Sequence, residues 1–118
     1  MQYMLLIIGD ESRMNQLETD DTGMSPDYHA YNEALIKAGA MRSGERLRPS
    51  SATTTVKVRD GKAVVLAGPY ADTQEQLGGF YIIEAADLDA AIDWARRCPA
   101  AQHGTIEVRP IWPTRASA

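Results

Sequence analysis

The sequence predicts an α+β domain in which one antiparallel sheet carries two helices on one face. Three observations point there. Met4-Leu5-Leu6-Ile7-Ile8 is an apolar run too short for a helix and is followed by Gly9-Asp10, so it reads as a buried strand. Two stretches, beginning at Ser25 and Asp87, place apolar residues at helical spacing between a capping residue and a stop. Several short runs alternate in polarity and are rich in β-branched residues, and two of them flank Asp60-Gly61.

Taken in chain order, Gln2 to Ile8 is expected to form a central strand. Residues 10–24 are polar and acidic, contain Thr22-Gly23 and lack a sustained period, which predicts a long loop with one weak turn of helix at most. Loops of that length in small domains often cover a site. Ser25-Pro26 reads as an N-cap followed by proline at the first helical position, and Asp27 meets the positive end of the helix dipole. The helix is expected over about 26–38, with Tyr28, Tyr31, Leu35 and Ala38 as its apolar face and Gly39 as its stop. His29, Asn32 and Glu33 lie beside that face.

Residues 41–47 alternate weakly and lead into Pro49-Ser50-Ser51, which predicts a short strand and a connector. Residues 53–58 and 63–66 are the arms of a hairpin whose Asp60-Gly61 turn is of the type I′ kind. Phe80 to Ala85 is a further strand, and the paired Gly78-Gly79 before it permits a bulge or a close backbone approach. Asp87 caps a second helix with an apolar stripe of Leu88, Ala91, Ile92 and Ala95; Arg96 and Arg97 meet its negative end and Pro99 closes it. Thr105 to Ile111 is the last strand. One domain is expected over 1–112, with 113–118 as a disordered tail.

This order of elements is that of a ferredoxin-like fold. The strands at 4–8 and 80–83 are apolar on both faces, so the face opposite the helices would leave more apolar surface in water than a monomer usually shows. Packing of two sheets in a homodimer removes it.

Composition narrows the function classes. With 44% hydrophobic and 24% charged residues in 118, the chain is an ordinary globular one. The first apolar run has no basic leader and is too short to span a bilayer, which argues against a membrane protein. A net charge of −4 opposes nucleic-acid binding, although Arg42, Arg46 and Arg48 form a local basic patch around Glu45. Cys98 is the only cysteine, so no intrachain disulfide forms and the cytoplasm is the expected location.

For chemistry the candidates are few. His29 lies beside the acidic loop and, as an imidazole, can shuttle protons; it also reads as a plain surface histidine. His103, before Gly104, reads as loop punctuation. The two histidines lack metal-ligand spacing and no Cys-x-x-Cys occurs, so no metal is expected. Cys98 at the end of an apolar stripe reads as buried and inert. Tyr70 and Tyr81, with Pro69, are the candidate ligand-binding residues, since phenols can line a cavity and hydrogen-bond a polar ligand. Asp72 is an acid–base candidate that turn duty also explains.

The segments Tyr3 to Glu11, Val58-Arg59-Asp60-Gly61, Gly68-Pro69-Tyr70-Ala71-Asp72-Thr73, Glu75 to Tyr81 and Glu107-Val108-Arg109-Pro110 together resemble the YCII-related proteins, in particular the DGPF subgroup. The resemblance implies a dimeric α/β barrel, with a cavity between sheet and helices. It also implies a family with an enzyme-like branch, including a dehydrochlorinase of a chlorinated aromatic, and members found beside extracytoplasmic-function sigma factors. Two departures matter. The subgroup's Asp-Gly-Pro-Phe is replaced by Ala67-Gly68-Pro69-Tyr70, and the positions of the enzyme-like branch's His–Asp pair are occupied by Tyr28 and Cys98. His29 is adjacent to the first of these, but one residue along a helix turns the side chain by about 100°.

Two functions follow as expectations. The first is a small dimeric protein that binds a small molecule, aromatic compounds being among the candidates, without a cofactor, with simple proton-transfer or elimination chemistry if it is an enzyme; Tyr28, His29 and Asp72 are then the catalytic candidates. The second is a non-catalytic interaction or regulatory protein linked to an extracytoplasmic-function sigma factor.

Overall fold

The computed structural model describes residues 1–14 and 23–114, and a four-stranded antiparallel sheet lies at its centre. The elements are β1 (Gln2–Asp10), α1 (Glu11–Met14), α2 (Pro26–Lys37), β2 (Met41–Arg46), β3 (Thr54–Arg59), β4 (Lys62–Ala67), β5 (Glu75–Glu84), α3 (Leu88–Arg97) and β6 (Thr105–Pro110). Short 3₁₀ turns at Ser50–Ala52 and Pro99–Gln102 complete the described chain. The middle of the expected loop, 15–22, and the end of the expected tail, 115–118, lie outside the described residues.

The sheet order is β2-β5-β1-β6, so two β-α-β units interleave: β5 lies between β1 and β2, and β1 lies between β5 and β6. Leu5 stands opposite Tyr81 on one side and Val108 on the other. Alternation along β1 sends Tyr3, Leu5 and Ile7 into the core, where they meet Tyr81 and Ile83 of β5, Tyr31 and Leu35 of α2, and Ala91 and Ala95 of α3. Both long helices therefore cover the same face. On the other face Met4, Leu6, Ile8, Phe80 and Ile82 are only half-buried.

Local chemistry sets each boundary. The Ser25 hydroxyl accepts from the Tyr28 amide and Pro26 opens α2; the Asp87 carboxylate accepts from Ala90 N at 2.9 Å and opens α3. Helix α2 stops at Lys37, so Ala38 is an exposed C-cap residue instead of part of the apolar face. In α3 the inward stripe is Ala91 and Ala95, flanked by Trp94 and followed by Cys98, whereas Leu88 and Ile92 are 49% and 44% exposed. Small residues face the sheet here because they let the helix approach it closely, and the larger aliphatics are left on the flank.

Strand β5 begins at Glu75, ahead of the expected start at Phe80, because Glu75, Gln76 and Leu77 continue the ladder with Asp10, Gly9 and Ile8. Register shifts between Ile7 and Ile8, which face Gly79 and Leu77, so Gly78 is the extra residue of a β-bulge. A Cβ at Gly78 would lie 2.9 Å from Met14 Sδ, and a glycine avoids that crowding. The β3–β4 hairpin forms its own two-stranded sheet. Its turn residues Asp60 and Gly61 have φ of 52° and 76°, the positive values that a type I′ turn needs.

Candidate functional site

A cavity of about 650 Å³ opens where the end of β1, the start of α2 and the segment after α3 come together. Three chain segments build its walls. Gly9, Asp10, Arg13 and Met14 come from β1 and α1; Ser25 to Tyr28, Ala30, Tyr31 and Ala34 come from the cap and first turns of α2; Arg97 to Ala100, Gln102, His103 and Gly104 come from the end of α3 and its 3₁₀ turn. This volume matches a small-molecule site. Its floor is apolar and aromatic, and four of its polar groups sit in two pairs, with Asp10, Asp27, Arg97 and Gln102 also in the lining.

The first pair is Tyr28 and Cys98. The tyrosine oxygen lies 3.8 Å from the sulfur, and Cys98 is 1% exposed. Burial pushes the Cys98 thiol above its ordinary range, and burial together with the neighbouring Cys98 does the same to the Tyr28 phenol. At neutral pH both are protonated. The pair can offer or accept a weak hydrogen bond, but neither member is a ready proton acceptor.

The second pair is Arg13 and His103, with Arg13 Nη2 at 3.2 Å from His103 Nδ1. A guanidinium only donates, so Nδ1 is the acceptor and the ring proton sits on Nε2. His103 thus presents an N–H donor, and Arg13 keeps further donors for a ligand. Asp10 stands beside them. Its Oδ1 accepts from Ser12 N at 2.9 Å and Ser12 Oγ at 2.7 Å and its Oδ2 from Gln74 Nε2 at 2.9 Å, bonds that hold its carboxyl below the ordinary range.

Behind the cavity an aromatic cluster fixes the floor. The Tyr31 ring meets Tyr81 edge-on at 5.3 Å and Trp94 at 6.2 Å, and Tyr31 Oη donates to the Trp94 carbonyl at 2.6 Å. The Tyr81 hydroxyl donates to Asn32 Oδ1. The Arg97 guanidinium lies 4.3 Å above the Trp94 ring. Burial raises the Tyr31 and Tyr81 phenols as well.

Of the candidates named from sequence, Tyr28 lines the cavity and Tyr81 lies in the core beneath it, 6% exposed. His29 is on the exposed side of α2, outside the lining. Pro69, Tyr70 and Asp72 sit in the β4–β5 connector, away from the cavity, with Tyr70 89% exposed. Sequence reasoning passed over Arg13 and read His103 as punctuation. The signal for Arg13 was Asp10-Glu11-Ser12, an aspartate placed to bond the amide two residues on and so start a turn. Nothing local marks His103, which reaches the site because the turn after α3 folds back on β1. Among the described residues no group of three or more His, Cys, Asp or Glu side chains is placed to hold a metal ion, and no helix is long and apolar enough to cross a membrane.

Comparison with known proteins agrees over nearly the full length. Residues 1–115 match the family described as the YCII-related domain. An uncharacterized protein of Rhizobium meliloti (strain 1021) is 37% identical over 114 residues, spanning 94% of this chain and 92% of its own.

Proposed function

The chain belongs to the YCII-related family, and we propose on that premise that it is a homodimer of ferredoxin-like protomers that binds a small aromatic compound bearing a hydroxyl or carboxylate. Within the family we place it in the DGPF subgroup, on the segments around Asp60-Gly61 and Gly68-Pro69-Tyr70. The observation that carries the binding reading is the cavity: an aromatic and aliphatic floor with the donors of Arg13 and His103 at one side and the Tyr28 hydroxyl at another. An aromatic ring fits the floor, and a phenolate or carboxylate fits the donors.

Binding is favoured over the proton transfer of the enzyme-like branch. The positions of that branch's His–Asp pair hold Tyr28 and Cys98, which meet in the cavity wall as a protonated pair without a base. A thermal-shift screen against phenols, hydroxylated aromatics and small carboxylates tests the reading, since a ligand of the folded state raises its melting temperature. A hit is expected to be lost in Arg13→Ala and kept in His29→Ala. Loss in both variants, or no hit on a folded protein, would overturn the cavity reading and favour the interaction-protein alternative.

A further inference from the structure

The junction of β1 and α1 is tied on one side to the base of the β3–β4 hairpin and on the other to the cavity. The Glu11 carboxylate accepts from Ser50 N at 2.6 Å and from Ser50 Oγ at 2.8 Å. Asp10 Oδ2 accepts from Gln74 Nε2 at 2.9 Å, while Asp10 Oδ1 stays on Ser12. Ser50 precedes the hairpin and Gln74 follows it, and between them the hairpin base is closed by Gly68 N on the Thr53 carbonyl at 2.8 Å and by Thr55 Oγ1 on the Gly68 carbonyl at 2.7 Å. Both ends of one closed unit therefore grip neighbouring residues of the junction.

Two features of this arrangement bear on Arg13. Glu11 and Arg13 are two positions apart in α1, which turns their side chains about 200° from each other. Glu11 can thus be anchored at the hairpin base while Arg13 lines the cavity. Asp10 stands three positions before Arg13, a spacing at which an aspartate and an arginine pair on a helix surface. Yet among the described residues no carboxylate lies within ion-pair distance of Arg13. Its guanidinium instead meets His103 Nδ1 at 3.2 Å.

We propose that Ser50 and Gln74 are positioning residues for Arg13: Ser50 fixes α1 through Glu11, and Gln74 keeps the Asp10 carboxylate off the guanidinium, so that the hairpin base sets how strongly the cavity holds an anionic group. Neither residue belongs to the cavity lining. A carboxylate oxygen that loses its donor takes another, and the planar fork of an arginine is well matched to it. An arginine captured by Asp10 turns from His103 and has less charge to give to a ligand. The consequence for binding rests on the cavity reading above, whereas the positioning can be read on the protein alone.

Two probes and one resonance test this. The probes are 4-hydroxybenzoate, which carries a carboxylate, and phenol, which does not. Gln74→Ala, at an exposed position, should weaken 4-hydroxybenzoate about fivefold, the size of a solvent-exposed ion pair, and leave phenol unchanged. In an Asp10→Asn background the same change should have no effect, because no carboxylate is left to capture the arginine. Without any ligand, the nitrogen-15 resonance of His103 Nδ1 on the neutral ring should move in Gln74→Ala and in Ser50→Ala towards its position in Arg13→Ala. Lys57→Ala, within the hairpin, should move neither readout. Equal weakening of both probes would show a general loss of the cavity and overturn the proposal, as would a His103 resonance that stays at its wild-type position in both variants. If neither probe binds the folded wild-type protein, the cavity reading falls and the resonance alone decides the positioning.

Discussion

Cys98 and the three tyrosines around it set the acid–base behaviour of this protein at its alkaline end. Burial holds the thiol and the phenols of Tyr28, Tyr31 and Tyr81 in their protonated forms. Their folded pKa values lie above the unfolded ones, so the stability they contribute is fully present below the unfolded values and is lost as pH climbs. The window opens near pH 9 for the cysteine and pH 10 for the tyrosines, the ordinary values from which they are raised. The urea midpoint should stay level from pH 7 to 8.5 and then fall, less steeply in Tyr31→Phe. A midpoint as high at pH 10.5 as at pH 7 would show that these groups ionise as freely folded as unfolded. Cys98 burial was legible from its place at the end of an apolar stripe. Its pairing with Tyr28 was not, because the two residues are joined only when α2 and the end of α3 pack on the same sheet face.

The elements respond to different changes. Leu35 is completely buried at the centre of α2, and Leu35→Ala should cost about 3 kcal/mol through lost burial and the cavity left behind. Ser25→Ala should cost about 1 kcal/mol, since it removes the acceptor that caps the same helix. Chemical denaturation checks both, and a Ser25→Ala loss as large as that of Leu35→Ala would mean the cap does more than start a helix. Caps, stops and the Asp60-Gly61 turn were readable because each needs only a few neighbouring residues. The inward face of α3 was misjudged for the opposite reason: composition favours Leu88 and Ile92 as core, but the space above the sheet admits Ala91 and Ala95. The early start of β5 was hidden for a related reason. Glu75 to Leu77 look like connector residues until β1 supplies their ladder partners.

At the scale of the whole molecule, the apolar half-buried face of the sheet predicts the assembly. Light scattering after gel filtration at micromolar concentration should give twice the chain mass, and the chain mass alone would overturn the packing argument. The four-stranded sheet and its helices could be anticipated from element order. The cavity could not, because its walls come from three segments far apart in sequence, two of which read as loop. The interleaved order of the sheet also has a consequence for how the chain reaches this state. The central strands β1 and β5 come from opposite halves, with Leu5 set against Tyr81, so neither half can complete a sheet alone. Contacts so distant in sequence make folding slow relative to a helical bundle of equal length. During synthesis β1 leaves the ribosome long before its partners, and its unpaired apolar edge is exposed until β5 and β6 arrive.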